Sequence, residues 1–189
     1  MKRFRMHNFL IVHGTGGSPE GNWFPWLKSE LEKAGHNVIC PQFPTTENHS
    51  YETWKSKFHA IKNQLMEPLT IIGHSLGAIF CLRLLEENLV KAEACILVCP
   101  FNEFLGIEYY DSLNSSFIKE NLNFDSICLN CSNFYVFAGS NDPYVPLALS
   151  EKIVKSLGTT LTVISNGGHL NSEFGFNQAL FLIDALSSS

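Results

Sequence analysis

A chain of 189 residues is most simply one domain, long enough to bury roughly 70% of its unfolded surface. The formal net charge of −5 argues against a general nucleic-acid binder, which needs a basic face. Of the six cysteines, Cys40, Cys81, Cys95 and Cys99 lie in apolar runs and read as small buried hydrophobes, and Cys128 and Cys131 form a lone C-x-x-C with no second pair for zinc, so the usage fits a reducing compartment better than a disulfide framework.

Met1-Lys2-Arg3-Phe4-Arg5 is basic and imitates the start of a signal peptide. The apolar run behind it, Phe9 to Val12, is too short for the about 7–15 residues a signal core needs, so it reads as a first strand near 8–13. His13-Gly14-Thr15-Gly16-Gly17 follows as a glycine-rich loop. It lacks both the lysine of a P-loop and the dinucleotide-binding glycine spacing, so a nucleotide site is not expected. A helix near 22–34, a strand near 36–40 and a helix near 52–66 come next, the last with Trp54, Phe58, Ile61 and Leu65 at helical spacing as a core-facing stripe. A strand near 69–73 and a mostly apolar helix near 76–89 flank Gly73-His74-Ser75-Leu76-Gly77. Strands near 94–99, 133–138 and 160–165 and helices near 146–157 and 172–186 complete the pattern. Strands alternating with helices imply a parallel sheet covered on both faces. No run reaches the length of a membrane span. The segment from Pro100 to about Asn130 interrupts the alternation and is rich in aromatic residues. It follows the carboxyl end of a strand, which makes it a candidate small cap.

The pentapeptide Gly73-His74-Ser75-Leu76-Gly77 fits G-x-S-x-G, the turn that raises a serine nucleophile between a strand and a helix. Glycines two before and two after the serine let strand and helix approach closely. In this architecture the acid and then the histidine follow the serine in sequence. Four aspartates are present, Asp111, Asp125, Asp142 and Asp184. Asp142 follows the strand-like Phe134 to Ala138 and the turn Gly139-Ser140-Asn141, and Pro143 biases it away from helical dihedrals. Asp184 lies in the last helical pattern and reads as solvated. Of seven histidines, His169 alone comes after Asp142, in a loop behind a strand, where its ring can reach the serine while the acid holds its other nitrogen. His74 adjoins Ser75 but points elsewhere, and His13 braces the first loop. The glycine-rich loop can present an N–H to a developing oxyanion, with Thr15 the first choice and Gly16 the second; the other donor is the backbone N–H of Leu76.

These segments, taken together, resemble the small serine hydrolases of the YdeN and retinoblastoma-binding-protein-9 group. The resemblance is carried by His13-Gly14-Thr15-Gly16-Gly17, Trp23, Trp26-Leu27, Pro41-Gln42-Phe43-Pro44, Gly73-His74-Ser75-Leu76-Gly77, Asn141-Asp142-Pro143-Tyr144-Val145-Pro146 and Gly167-Gly168-His169, in order along almost the whole chain. It implies a compact three-layer α/β-hydrolase fold with a sheet of about six mostly parallel strands in the order 2-1-3-4-5-6. It implies Ser75, Asp142 and His169 as a catalytic triad, esterase-like or peptidase-like activity on small substrates, and no cofactor. The region from Phe101 to Cys131 matches no motif of the group, so substrate preference does not carry over.

The expectation is therefore a single α/β-hydrolase domain over residues 1–189, with residues 100–130 as a small cap, acting by acyl transfer to water. An ester, a thioester or a small amide is compatible with it. Trp23, Phe24, Trp26, Phe101 and Phe104 are expected around the substrate, Trp23 and Phe101 foremost, and they favour an apolar acyl or aryl group. No metal site, nucleic-acid partner or membrane contact is expected, and the location is expected to be cytoplasmic. The rival reading is an idle hydrolase scaffold used as a protein-binding module.

Overall fold

In the computed structural model, which describes residues 6–187, six strands form one sheet in the order β2-β1-β3-β4-β5-β6. The strands are β1 (Asn8–Val12), β2 (Asn37–Ile39), β3 (Leu69–His74), β4 (Ala92–Val98), β5 (Cys131–Gly139) and β6 (Leu161–Ile164). Every neighbouring pair is parallel, so the mostly parallel expectation is met by a wholly parallel sheet. The order reverses at β1, and both β1 and β3 are buried along their whole length. Such strands must be apolar on both faces, which is why Phe-Leu-Ile-Val and Leu-Thr-Ile-Ile read as continuous runs instead of alternating ones. The basic stretch Met1–Arg5 and the last two serines lie outside the described residues. No helix among those described is long and apolar enough to cross a membrane.

Side-chain alternation along each strand divides the core into two layers. Leu10, Val12, Ile71, Cys95 and Leu97 face one side, where they meet α2 (Tyr51–Ile61), α3 (Leu76–Glu86) and α6 (Leu147–Leu157). Phe9, Ile11, Ile72, Ile96 and Val98 face the other, against α1 (Phe24–Lys33) and the C-terminal segment. The stripe expected on the second helix is present. Trp54 and Phe58 are fully buried, and Ile61 and Leu65 pack partly buried at the same layer, Leu65 just beyond a short 3-10 turn. Ser50 caps α2 with a reciprocal capping box through Thr53, which explains the sharp start of that helix.

Two expected features differ. The continuous helix over 172–186 does not form. Ser172–Phe174 makes a single 3-10 turn closed by Gly175 at φ +86°, and α-helix resumes only at α7 (Ile183–Ser187) after a second 3-10 turn. Gly175 takes the left-handed conformation that stops a helix, and the amide of Phe176 folds back onto the Asn171 carbonyl. Asp184 falls in α7, but its side chain lies outside the described residues.

The second concerns the interval between β4 and β5, which carries two short helices, α4 (Glu108–Asn114) and α5 (Phe124–Asn130). Its aromatic residues do not act as one group. Phe101 and Phe117 are buried in the main core, whereas Phe104 and Tyr109 are exposed. Phe101 is corrected accordingly, from substrate wall to core residue. It lies just beyond β4 and packs into the core layer that holds Cys95 and Leu97.

Candidate active site

The strand β3 ends at His74 and α3 begins at Leu76, so a single residue, Ser75, makes the reversal. Ser75 has φ +56° and ψ −123°, a conformation that costs a residue with a side chain on the order of 1–3 kcal/mol and persists only where the surroundings enforce it. They do so through contact. A Cβ on Gly73 would fall on the carbonyl oxygen of Gly77, and a Cβ on Gly77 would fall on the carbonyl oxygen of Val12 in β1. Strand, helix and neighbouring strand therefore pack backbone to backbone around the serine. The amide of Ser75 is held by the Val98 carbonyl at the end of β4, at 2.8 Å. Leu76 opens α3, so its N–H has no partner within the helix and lies beside the serine.

Asp142 and His169 come from the loops behind β5 and β6. His169 Nδ1 lies 2.7 Å from Asp142 Oδ2. A carboxylate only accepts, so Nδ1 carries the proton and Nε2 is left with its lone pair. The other carboxylate oxygen, Oδ1, accepts the backbone N–H groups of Tyr144 and Val145 at 2.9 and 3.1 Å. Burial alone would raise the pKa of Asp142. The hydrogen bond from His169 and those from the two backbone N–H groups outweigh burial and lower it, so the group stays ionised. The buried thiol of Cys99, at φ +51° just past β4, is pushed well up by burial and by the Asp142 charge, and remains a neutral S–H.

The two neighbouring histidines are structural in their bonding. His74 Nε2 donates to the carbonyl of His169 at 2.9 Å, and its ring meets that of His169 at 4.8 Å between centroids. Burial is the main cause that pushes its pKa down to about 3, so it is neutral. His13 accepts the Phe43 amide at Nε2, which places its proton on Nδ1 for donation to the Gly14 carbonyl at 2.8 Å. His13 thus braces the first loop, as its place in the sequence suggests. His74, Cys99 and His169 offer ligand atoms within 4.8 Å of one another. Both histidines already use a ring nitrogen within the protein, on the His169 carbonyl and on Asp142.

Ser75 and His169 open into one cavity of about 130 Å³, shared with Gly14, Thr15 and Gly17 of the first loop. The fit is close on that side: a Cβ on Gly14 would come within 2.9 Å of the Ser75 Cβ. Leu105, Tyr110, Asn114, Tyr144 and Glu173 also line it. The Tyr144 hydroxyl donates to the Glu173 carboxylate at 2.9 Å, and its ring packs edge-on to His169 with centroids 5.2 Å apart, tying the acid loop to the histidine loop.

Of the residues singled out from the sequence, the fold gathers Ser75, Asp142, His169, Thr15 and the Leu76 amide at one place. Trp23 is corrected. It is wholly buried, packs on Phe24 and His74, and donates from Nε1 to the Leu170 carbonyl at 2.9 Å. It therefore holds the loop that carries His169 instead of lining the cavity. Phe24 is likewise core, and Phe104 faces solvent. The wall is made instead of Tyr110, Asn114, Tyr144 and Glu173. Of these Tyr144 carried a signal through its place in the Asp142 motif, and Tyr110 only as one of the aromatic residues of the candidate cap; Asn114 and Glu173 carried none.

A parallel sheet ordered 2-1-3-4-5-6, with a strained serine turn after β3 and an aspartate–histidine pair on the last two loops, defines an α/β-hydrolase. The chain belongs to the Serine hydrolase family, whose model matches residues 9–186. It is similar to YdeN of Bacillus subtilis, 26% identical over 181 residues that cover 94% of this chain and 93% of YdeN. It is also similar to the serine hydrolase RBBP9 of Rattus norvegicus, 28% identical over 169 residues covering 87% of this chain and 88% of that protein. The crystal structure of the ydeN gene product superimposes with a TM-score of 0.87 at 25% identity, covering 97% of this chain and 98% of the other.

Proposed function

We propose that the chain hydrolyses a small carboxylic ester or amide through an acyl-enzyme on Ser75. His169 Nε2 takes the hydroxyl proton as Ser75 Oγ attacks the carbonyl carbon, then delivers it to the leaving oxygen or nitrogen. Water enters by the same route in reverse and releases the acid. Asp142 holds the tautomer that leaves Nε2 basic and offsets the positive charge that develops on the ring. The N–H of Leu76 and a backbone N–H near Thr15 receive the oxyanion. The observation that carries this reading is the 2.7 Å bond from His169 Nδ1 to Asp142 in a ring that shares a cavity with the strained Ser75.

The cavity also bears on the substrate. A dry cavity of about 150 Å³ takes a benzene, so about 130 Å³ leaves room for a group of that order or smaller. Its wall is mixed, with Asn22, Asn114, Asn171 and Glu173 beside Leu105 and the rings of Tyr110 and Tyr144. Short acyl or leaving groups therefore fit better than long ones, and the mixed wall does not restrict them to the apolar groups expected from the aromatic content of the sequence. A fluorophosphonate probe followed by peptide mapping tests the nucleophile, with label expected on Ser75. A panel of esters graded by acyl length tests the pocket, with acetyl and propionyl esters expected to exceed octanoyl esters in kcat/KM by about tenfold or more. An unlabelled, inactive chain would leave the idle scaffold as the better reading.

A further inference from the structure

The helix α4 has one buried residue, and it is not one of its apolar ones. Asn114 is 3% exposed, while Tyr109 is exposed and Tyr110 and Leu113 are only partly covered. A buried amide is unfavourable unless its polar atoms find partners. Asn114 Oδ1 finds one in a distant part of the chain, accepting the Thr15 hydroxyl at 2.7 Å. Both residues line the cavity with Ser75. The bond joins the glycine-rich loop after β1 to the interval between β4 and β5, which otherwise contributes only Leu105 and Tyr110 to the cavity.

The loop needs such a tether. It contains Gly14, Gly16 and Gly17, with Gly16 exposed and at φ +70°. His13 and the Gly17-to-Gly14 turn fix its base, but the hydroxyl of Thr15 has its bond to Asn114 alone. The anchoring side is itself built in. Asp111 accepts the amides of Leu105 and Gly106 at 2.6 and 2.9 Å, closing the turn into α4, and Tyr110 packs against Tyr144 with centroids 5.7 Å apart.

We infer that Asn114 is a positioning residue: through Thr15 it holds the loop after β1 so that the loop's N–H stays aimed at the oxyanion. This rests on the acyl-transfer reading above. Loss of the tether should fall on the transition state, where the oxyanion forms, more than on substrate binding.

The test compares Asn114→Ala, Thr15→Val, their double variant and Thr15→Ser, in steady-state hydrolysis of a short ester and in the rate of fluorophosphonate labelling. Asn114→Ala and Thr15→Val should each lower kcat about 10- to 100-fold, with KM within about threefold. The double variant should be no worse than the worse single one, because both remove the same bond. Thr15→Ser, which keeps the hydroxyl, should recover most of what Thr15→Val loses. Undiminished kcat in either single variant, losses that multiply, or an effect confined to KM would overturn the inference. A folding defect from Asn114→Ala is separated by Thr15→Val, which sits on a surface loop. Labelling of the wild-type chain at Ser75 checks the hydrolase reading by itself. An unlabelled wild type overturns both, whereas a labelled wild type with unaffected variants overturns this inference alone.

Discussion

The serine turn and the interval between β4 and β5 border the same cavity but are held there by different means. Around Ser75 the restraint is backbone on backbone: Gly73 against Gly77, Gly77 against Val12, and the Ser75 amide on Val98. In the interval it is side chains on backbone and on one another, through Asp111, Asn114 and Tyr110. The first arrangement tolerates almost no change of residue type. The second can vary its residues while keeping its position, which makes it the natural place for specificity to reside.

Removing the proposed nucleophile is the hardest test of this contrast. Ser75→Ala should abolish hydrolysis by on the order of 10⁴-fold or more while leaving the thermal unfolding midpoint within a few degrees. Wild-type turnover in that variant would end the assignment. Asp142→Asn should cost on the order of 10³–10⁴-fold in kcat, because an amide can donate to Nδ1 and so favour the wrong tautomer. Asp125→Asn, on α5 and remote from the cavity, should cost little; the reverse ranking would show that the acid lies elsewhere.

Within the interval, two phenylalanines three residues apart should part company. Phe101→Ala should destabilise the fold by about 3–5 kcal/mol, as for a buried aromatic ring, with kcat of the folded fraction little changed. Phe104→Ala, at an exposed position, should stay within about 0.5 kcal/mol in denaturant unfolding. A kcat defect specific to Phe101→Ala would restore it to the substrate wall.

The pH response separates the site from its supports. Asp142, with its lowered pKa, stays charged, and His74, pushed down to about 3, stays neutral, so neither changes charge between pH 5 and 8. Any change in kcat/KM on a non-ionising ester over that interval must therefore come from other groups. Stability has its own profile. His74 binds a proton in the unfolded chain below about 6.5 but not in the folded one until about 3. Its contribution is therefore complete above about pH 6.5 and is lost as pH falls toward 3, by up to about 1.4 kcal/mol per unit. Buried His13, also lowered, acts in the same direction. Urea midpoints measured at pH 7 and pH 5 should show the loss, and equal midpoints would mean that His74 is not buried as a neutral ring.

Much of this was legible from the residues because it rests on local rules. β1 and β3 announce themselves as short β-branched runs ending in glycine-rich turns, and a strand-turn-helix with glycines two residues either side of a serine has few other uses. Chain order narrowed the acid and the base to Asp142 and His169. What misled was the use of composition for placement. Trp23 and Phe101 are aromatic and near loops that matter, yet both are buried. The helix expected over 172–186 had apolar spacing but also Gly175, whose left-handed conformation ends the first turn.

By itself the sequence determined the alternation of strands and helices, hence a parallel sheet, and the candidates for nucleophile, acid and base, because hydrophobic period, turn chemistry and chain order are local or topological. Only the tertiary structure decided which side chains face the cavity. Whether Phe101 or Tyr110, Trp23 or Asn114 turns toward Ser75 depends on how segments distant in the chain close over the sheet. That choice is set by packing between elements that no local pattern encodes.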